Sequence, residues 1–244
     1  MRVALFISCL TDNFFPQVGE DTVRVLRRLG VEVTFPRGQT CCGQPAFNSG
    51  FHRDTQELAR HFIQVFEGSE AIVTPAGSCA TMVRKEYPAL FHHDPRWQRR
   101  AAALAERTYE LSEFLVDVLG VEDVGATWQG RVSYHDACHA LRSLGVREQP
   151  RRLLSHVRGL ELVDLTRSDW CCGFGGSFAV RMPGISGAML QEKITRIAAA
   201  GAPTVVTTDA GCIMNIGGGL RKLGLPFQIV HLATVLAHHE ASHG

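Results

Sequence analysis

Val3 to Ile7 is an unbroken apolar run that reads as a buried strand, with Cys9 in the loop after it. The period then lengthens. Val18, Val25, Leu26 and Leu29 share one face of a helix over Val18–Leu29, and Gly30 stops it. Val31–Phe35 is a second strand. From Asp54, suited to an N-cap, a helix carries Leu58, Phe62, Val65 and Phe66 at helical spacing. Ala71–Thr74 is a third strand, ending just before Cys79. The pattern returns downstream, with strands at Val132–Tyr134, Glu161–Leu165 and Val205–Thr207 and a helix at Gln191–Ala200 closing on Gly201. Each half ends in an apolar, helix-like stretch, YELSEFLVDVLG and IVHLATVLAHH. Strands alternating with helices imply an α/β fold, with a mostly parallel sheet flanked by helices in each half.

Composition narrows the class. Of 244 residues, 45% are hydrophobic and 20% charged, which excludes a disordered or fibrous chain. The formal charge of +1 lacks the basic surplus of a nucleic-acid binder. No apolar run approaches the ~20 residues of a membrane span. MRVALFISCL is apolar, but Thr11, Asp12 and Asn13 follow without a small-residue cleavage site, so it reads as a strand of a cytoplasmic protein.

The eight cysteines change the picture most. They stand at 9, 41, 42 and 79, then at 138, 171, 172 and 212, so that corresponding cysteines lie 129, 130, 130 and 133 positions apart. RVALFISC matches RVSYHDAC, and TCCGQPAF and WCCGFGGSF share Cys-Cys-Gly. This is an internal duplication, too long in period for a solenoid. We divide it as a first repeat over 1–125 and a second over 126–244, pseudo-symmetric, joined where VEDVGATWQG loses periodicity. Cys9, Cys79, Cys138 and Cys212 each follow a strand, and open α/β sheets gather their sites at strand C-termini. Four thiols per repeat are therefore expected on Cys-bearing loops at one rim.

Convergent thiolates suit an iron–sulfur cluster or tetrahedral zinc. Gly43 and Gly173 let the backbone turn tightly beside each vicinal pair. A third use is thiol redox chemistry by the vicinal pairs themselves. His135 and His139, flanking Cys138 in YHDACH, are candidate ligands or donors to a cluster sulfur, against a packed or surface role. His92-His93 and His238-His239 read as solvated, as do Arg24, Arg27 and Arg28 on the first helix. The glycines at 173, 175 and 176 lack the strand and acidic partner of a dinucleotide loop, and Gly217-Gly218-Gly219 reads as a flexible loop. No acid–base dyad, nucleophile elbow or zinc-protease motif is present.

A cysteine, a spacer in the thirties, Cys-Cys-Gly, and a further spacer ending in cysteine resembles the cysteine-rich CCG domain, which occurs in tandem in one of the subunits of heterodisulfide reductase and in the iron–sulfur component of glycolate oxidase. ISCLTDNFFPQVG, QTCCGQPAFNSG, TPAGSC, YELSEFLVDVLGVEDVGA, WCCGFGGSFAV and CIMNIGG resemble most closely the lactate utilization protein A group, over essentially the whole chain. The resemblance implies one component of a bacterial cytoplasmic system that oxidises L-lactate to pyruvate. It would be an oxidoreductase component without a complete substrate site, working with a second iron–sulfur protein and a third component. By position, Cys9, Cys41, Cys42 and Cys79 would hold one [4Fe–4S] cluster, and Cys138, Cys171, Cys172 and Cys212 another. Zinc in one site is the alternative, because some domains of this superfamily carry it. The fuller family pattern ends in Cys-x-x-Cys, and in heterodisulfide reductase five thiolates hold a non-cubane cluster. Here Ala76 and Asp209 replace the first of those two cysteines. Four thiols serve a cubane but leave the non-cubane form one short, so disulfide cleavage is not expected. Asp209 is then a helix cap or an oxygen ligand.

Overall fold

The computed structural model describes residues 1–239. β1 (Arg2–Leu5), β2 (Glu32–Thr34), β3 (Ala71–Thr74) and β4 (Thr108–Glu110) form one sheet in the order β2-β1-β3-β4. β5 (Thr127–Tyr134), β6 (Arg158–Val163), β7 (Thr204–Thr207) and β8 (Gln228–His231) form a second in the order β6-β5-β7-β8. Every pairing is parallel. The registers correspond: Val3 faces Val33 and Ala71, while Val132 faces Leu162 and Thr204. The α/β reading of two helix-flanked repeats is therefore the fold observed.

The buried strands are short apolar runs, and β3 (AIVT) is buried at all four positions. The crossover helix Pro16–Arg28 opens on a proline, whose missing N–H is no loss at a helix start, and buries Val18, Thr22, Val25 and Leu26. The helix over His52–Phe66 buries Thr55, Ala59, Phe62, Ile63 and Phe66. Its cap is Phe51, and Asp54 falls inside the first turn, where an acidic side chain still complements the helix dipole.

Three further expectations are corrected. Each closing apolar stretch begins with a fourth strand, β4 or β8, before its short helix; a strand of three or four residues shows no full period. Gly217, Gly218 and Gly219 are not a loop but lie inside the helix Ala210–Lys222. A Cβ on Gly219 would stand 2.6 Å from Ile194 Cδ1, so glycine lets this helix press on Pro183–Ala200. Arg28 is not simply solvated. Its guanidinium donates to the carbonyls of Val124, Leu236 and Ala237 at 3.0, 3.1 and 2.9 Å, closing the end of the last helix, Leu232–Ala237.

The central apolar cluster draws on both repeats, with Val3, Val25, Leu26, Val73 and Leu115 against Val132, Leu154, Val206 and Leu236. Each outer cluster belongs to one repeat: Cys42 and Cys79 lie in the first, Cys172 and Cys212 in the second. Packing the repeats through their shared centre turns the two cysteine-bearing rims toward each other. No helix of the described residues is long and apolar enough to cross a membrane.

Candidate metal centre

β1, β3, β5 and β7 each deliver one cysteine into the first turn of the following helix: Cys9 in Cys9–Phe14, Cys79 in Gly77–Thr81, Cys138 in Cys138–Leu144 and Cys212 in Ala210–Lys222. The vicinal pairs stand in the loops after β2 and β6. Gly43 at φ 84° and Gly173 at φ 86° make the turns. A Cβ on Gly173 would meet the Ser186 carbonyl at 2.6 Å, so the turn admits no larger residue. Each turn points an N–H back at the first sulfur, Gly43 N to Cys41 Sγ at 3.4 Å and Gly173 N to Cys171 Sγ at 3.3 Å.

Within the first repeat Cys9 Sγ and Cys41 Sγ are 3.5 Å apart, and Cys42 Sγ and Cys79 Sγ 3.4 Å. In the second, Cys172 Sγ and Cys212 Sγ are 3.4 Å apart. All eight cysteines line a single cavity of about 330 Å³ between the repeats, so each sequence-proposed thiol reaches the same place. Cys42, Cys79, Cys172 and Cys212 are buried, the others half-buried, and all eight are free thiols. The ionisation is uneven. Hydrogen bonding to Cys42 and Cys9, with the Gly43 N–H, brings Cys41 down to about 3. The same arrangement, Cys138 first and then Cys172, brings Cys171 down to about 2. Their buried neighbours Cys42 and Cys172 are pushed up, by the bond to that first thiol and by desolvation. Each turn so pairs a ready thiolate with a protected thiol.

The repeats meet closely here. Gly77 lies so near Ala140 that a Cβ would come within 2.6 Å of the alanine Cβ. Asp209 caps its helix, Oδ1 accepting from Gly211 N at 3.0 Å, and Oδ2 accepts from Ser78 N of the first repeat at 3.1 Å. Both oxygens are thus committed to backbone donors, which is the capping role rather than a ligand. His139 Nδ1 stands 3.7 Å from Cys138 Sγ, on the cavity wall. His135 is fully buried, and a ring nitrogen lies with Cys172 Sγ and Cys212 Sγ in a group whose atoms are all within 4.8 Å of one another. Burial, reinforced by the Lys193 ammonium, brings its pKa down to about 3, so the ring is neutral. His92, His93, His238 and His239 are exposed and away from the cavity lining.

The walls behind the thiols contain residues that no motif marks. In the first repeat Phe6, Phe62 and Tyr87 pack together, and Tyr87 Oη donates to the Cys42 carbonyl at 2.8 Å. In the second, Asn215 Nδ2 donates to the Cys172 carbonyl at 2.8 Å. Lys193 is 1% exposed and donates to the carbonyls of Arg167 and Ser168 at 2.9 and 3.1 Å. A signal for Lys193 was present: a lysine in line with Met189 and Ile197 sits at i+4 on an apolar helix face.

The donor set fits a soft metal. Eight thiols converge with backbone N–H groups aimed at sulfur, and a cavity adjoins them. The sulfur spacings of 3.4–3.5 Å are close to the edge of a single-metal tetrahedron, about 3.8 Å for a 2.3 Å metal–sulfur bond. A cluster, with its irons at separate corners, needs the thiols to spread into the cavity.

A family model described as a cysteine-rich domain (CCG) matches residues 3–84 and again 132–217. "Lactate utilization protein A" of Geobacillus kaustophilus is 52% identical over 236 residues, spanning 97% of this chain and 98% of that protein. The protein of that name from Geobacillus thermodenitrificans is 51% identical over 238 residues, 98% of this chain and 99% of its own. Among solved structures, a glutamate racemase from Francisella tularensis aligns over 97% of this chain and 78% of its own at 11% identity and a TM-score of 0.38, a likeness too slight to carry an argument.

Proposed function

The chain belongs to the cysteine-rich CCG domain family, and from that premise we propose that it is an iron–sulfur electron-transfer subunit of an L-lactate-utilization system. The observation that carries this reading is the convergence of all eight thiols on one cavity. Its physiological setting rests on relatives that match nearly end to end and are called lactate utilization protein A.

In this reading the first repeat, residues 1–125, holds one [4Fe–4S] centre through Cys9, Cys41, Cys42 and Cys79. The second, residues 126–244, holds another through Cys138, Cys171, Cys172 and Cys212. Such clusters supply one-electron transfer when bound. The chain's own work is to place the thiols, exclude water and tune the sulfurs. The low-pKa thiols Cys41 and Cys171 offer thiolates, and the Gly43 and Gly173 N–H groups stabilise negative charge on sulfur. Because both frames wall the same cavity, centres held in the two repeats would exchange electrons without an intervening protein layer. Asp209, the carboxylate in the lining, is committed to two N–H groups, so the substrate site is assigned to a partner protein. That partner, a second iron–sulfur protein and a cytoplasmic location complete the proposal.

A second reading, zinc in one or both frames with a scaffolding role, is favoured by the sulfur spacing. One measurement separates the two: iron, zinc and acid-labile sulfide per chain in protein purified without oxygen, with its visible spectrum. Near-equal iron and sulfide, four or eight per chain, supports the relay. Stoichiometric zinc without sulfide overturns it.

A further inference from the structure

The second repeat contains a donor atom that its hydrogen bonding leaves idle. His135 lies just after β5, three residues before Cys138, and is 0% exposed. Its Nδ1 stands 3.1 Å from the Ser168 carbonyl oxygen. A carbonyl has no proton to give, so the ring proton sits on Nδ1 and Nε2 keeps its lone pair. Among the described residues, Nε2 is buried with no hydrogen-bond partner. Leaving a buried lone pair unused is costly unless something fills it. The ring is also held in place, because the same Ser168 carbonyl accepts from Lys193 Nζ at 3.1 Å. Imidazoles that bind metals are held this way, one nitrogen anchored on a carbonyl and the other free.

The first repeat has no counterpart. Cys138 follows Cys9 by 129 positions, and 129 positions before His135 stands Phe6, a ring without a donor. Phe6 packs edge-to-face on Phe62 with centroids 4.7 Å apart.

We propose that His135 Nε2 is a protein ligand of the metal centre at Cys172 and Cys212, so that the second repeat forms a mixed nitrogen–sulfur site and the first an all-sulfur one. This rests on the reading of the cysteines as metal ligands. It offers the second repeat five donors against four, and an imidazole taking the place of one thiolate at an iron makes the two centres electronically distinct, since that exchange raises a cluster's potential.

The test is pulsed electron paramagnetic resonance on the reduced holo-protein, purified without oxygen and grown with 15N-imidazole histidine. A nitrogen directly coupled to the cluster spin, changing with the label, lost in His135→Phe and kept in His139→Phe, is the expected result. Clusters with no histidine coupling, or coupling that survives His135→Phe, overturn the proposal while leaving the electron relay intact. Should His135→Phe fail to load metal, the labelled wild-type spectrum decides alone: histidine coupling that His139→Phe keeps supports the assignment, and its absence overturns it. If the protein holds zinc without sulfide, the relay has failed but this assignment has not. Zinc-edge X-ray absorption then shows a nitrogen at about 2.0–2.1 Å if His135 binds, and only sulfur if it does not.

Discussion

The two repeats set one four-thiol frame into two different walls. The helix residues beneath the Cys-Cys-Gly turns correspond at a distance of 131 positions: Thr55 and Leu58 lie under Gly43, Ser186 and Met189 under Gly173. Carried along the helices, that offset sets Phe62 against Lys193. In the first repeat the wall is aromatic, with Phe62 stacked on Phe66 at 4.4 Å and edge-on to Phe6 and Tyr87. In the second it carries a buried ammonium and a buried imidazole on one carbonyl, beside Asp136, whose carboxylate is gripped by Arg151 at 2.8 and 2.7 Å. An apolar wall keeps charge out of a site, whereas a buried cation favours added negative charge. Duplication has thus preserved the four-thiol frame while its surroundings diverged.

The same divergence marks the ends of the fourth strands. Glu110 at the end of β4 caps the following helix through Ser112 N at 2.7 Å and Glu113 N at 3.3 Å, and His231 at the end of β8 caps through Ala233 N at 3.0 Å. Burial raises Glu110 to about 7 and lowers His231 to about 4, so at neutral pH His231 is uncharged and Glu110 about half protonated. His231 also donates from Nε2 to the Pro75 carbonyl at 3.0 Å, tying the second repeat to the first.

The sharpest test of two separate frames replaces one buried thiol in each. Cys42→Ser and Cys172→Ser should each remove about half of the bound metal, read as iron, sulfide and zinc per chain. Loss of nearly all metal from either variant would mean one shared centre instead of two. The walls are compared next. Phe62→Ala should lower stability by about 3–5 kcal/mol through the cavity it leaves. Lys193→Met, close in volume and relieved of a desolvated charge, should cost less than about 1.5 kcal/mol. Thermal unfolding of the two holo-variants ranks them, and a larger loss at Lys193 would break the distinction.

The capping pair gives a pH signature. Glu110 titrates higher folded than unfolded, so the folded state binds the extra proton between about 4.5 and 7 and stability falls as pH rises through that window. Glu110→Gln should raise the unfolding midpoint above pH 7, by the equivalent of roughly 3 kcal/mol, with the difference gone below about pH 4.5. His231 has the opposite sense. Its folded pKa lies below 6.5, so its contribution is intact above that pH and lost as pH falls toward 4. A Glu110→Gln protein with an unchanged pH profile would remove this contrast. The last variant is at Arg28. Arg28→Ala should cost about 1.5–3 kcal/mol, because three carbonyls lose a charged donor. The midpoint should fall without loss of metal.

Much of this was legible in the sequence, and the exceptions have physical causes. Ala71–Thr74 is a strand residue for residue because a short β-branched run between Glu70 and Pro75 admits little else. The strands β4 and β8 merged into the helices after them, since three or four residues cannot display a period. Gly217 to Gly219 passed for a loop because glycine marks both flexibility and close approach, and only the distance to Ile194 separates those meanings. Arg28 looked solvated because its acceptors lie 96, 208 and 209 positions away.

The duplication, the α/β class and the eight thiols can be read from the chain alone, because spacing, periodicity and side-chain chemistry are local properties. Tertiary structure alone decided that both frames face one cavity, that Asp209 reaches across to Ser78, and that His135 and Lys193 share the carbonyl of Ser168. Those outcomes follow from how the shared apolar centre packs two sheets together, and that packing joins residues whose separation along the chain carries no trace of their contact.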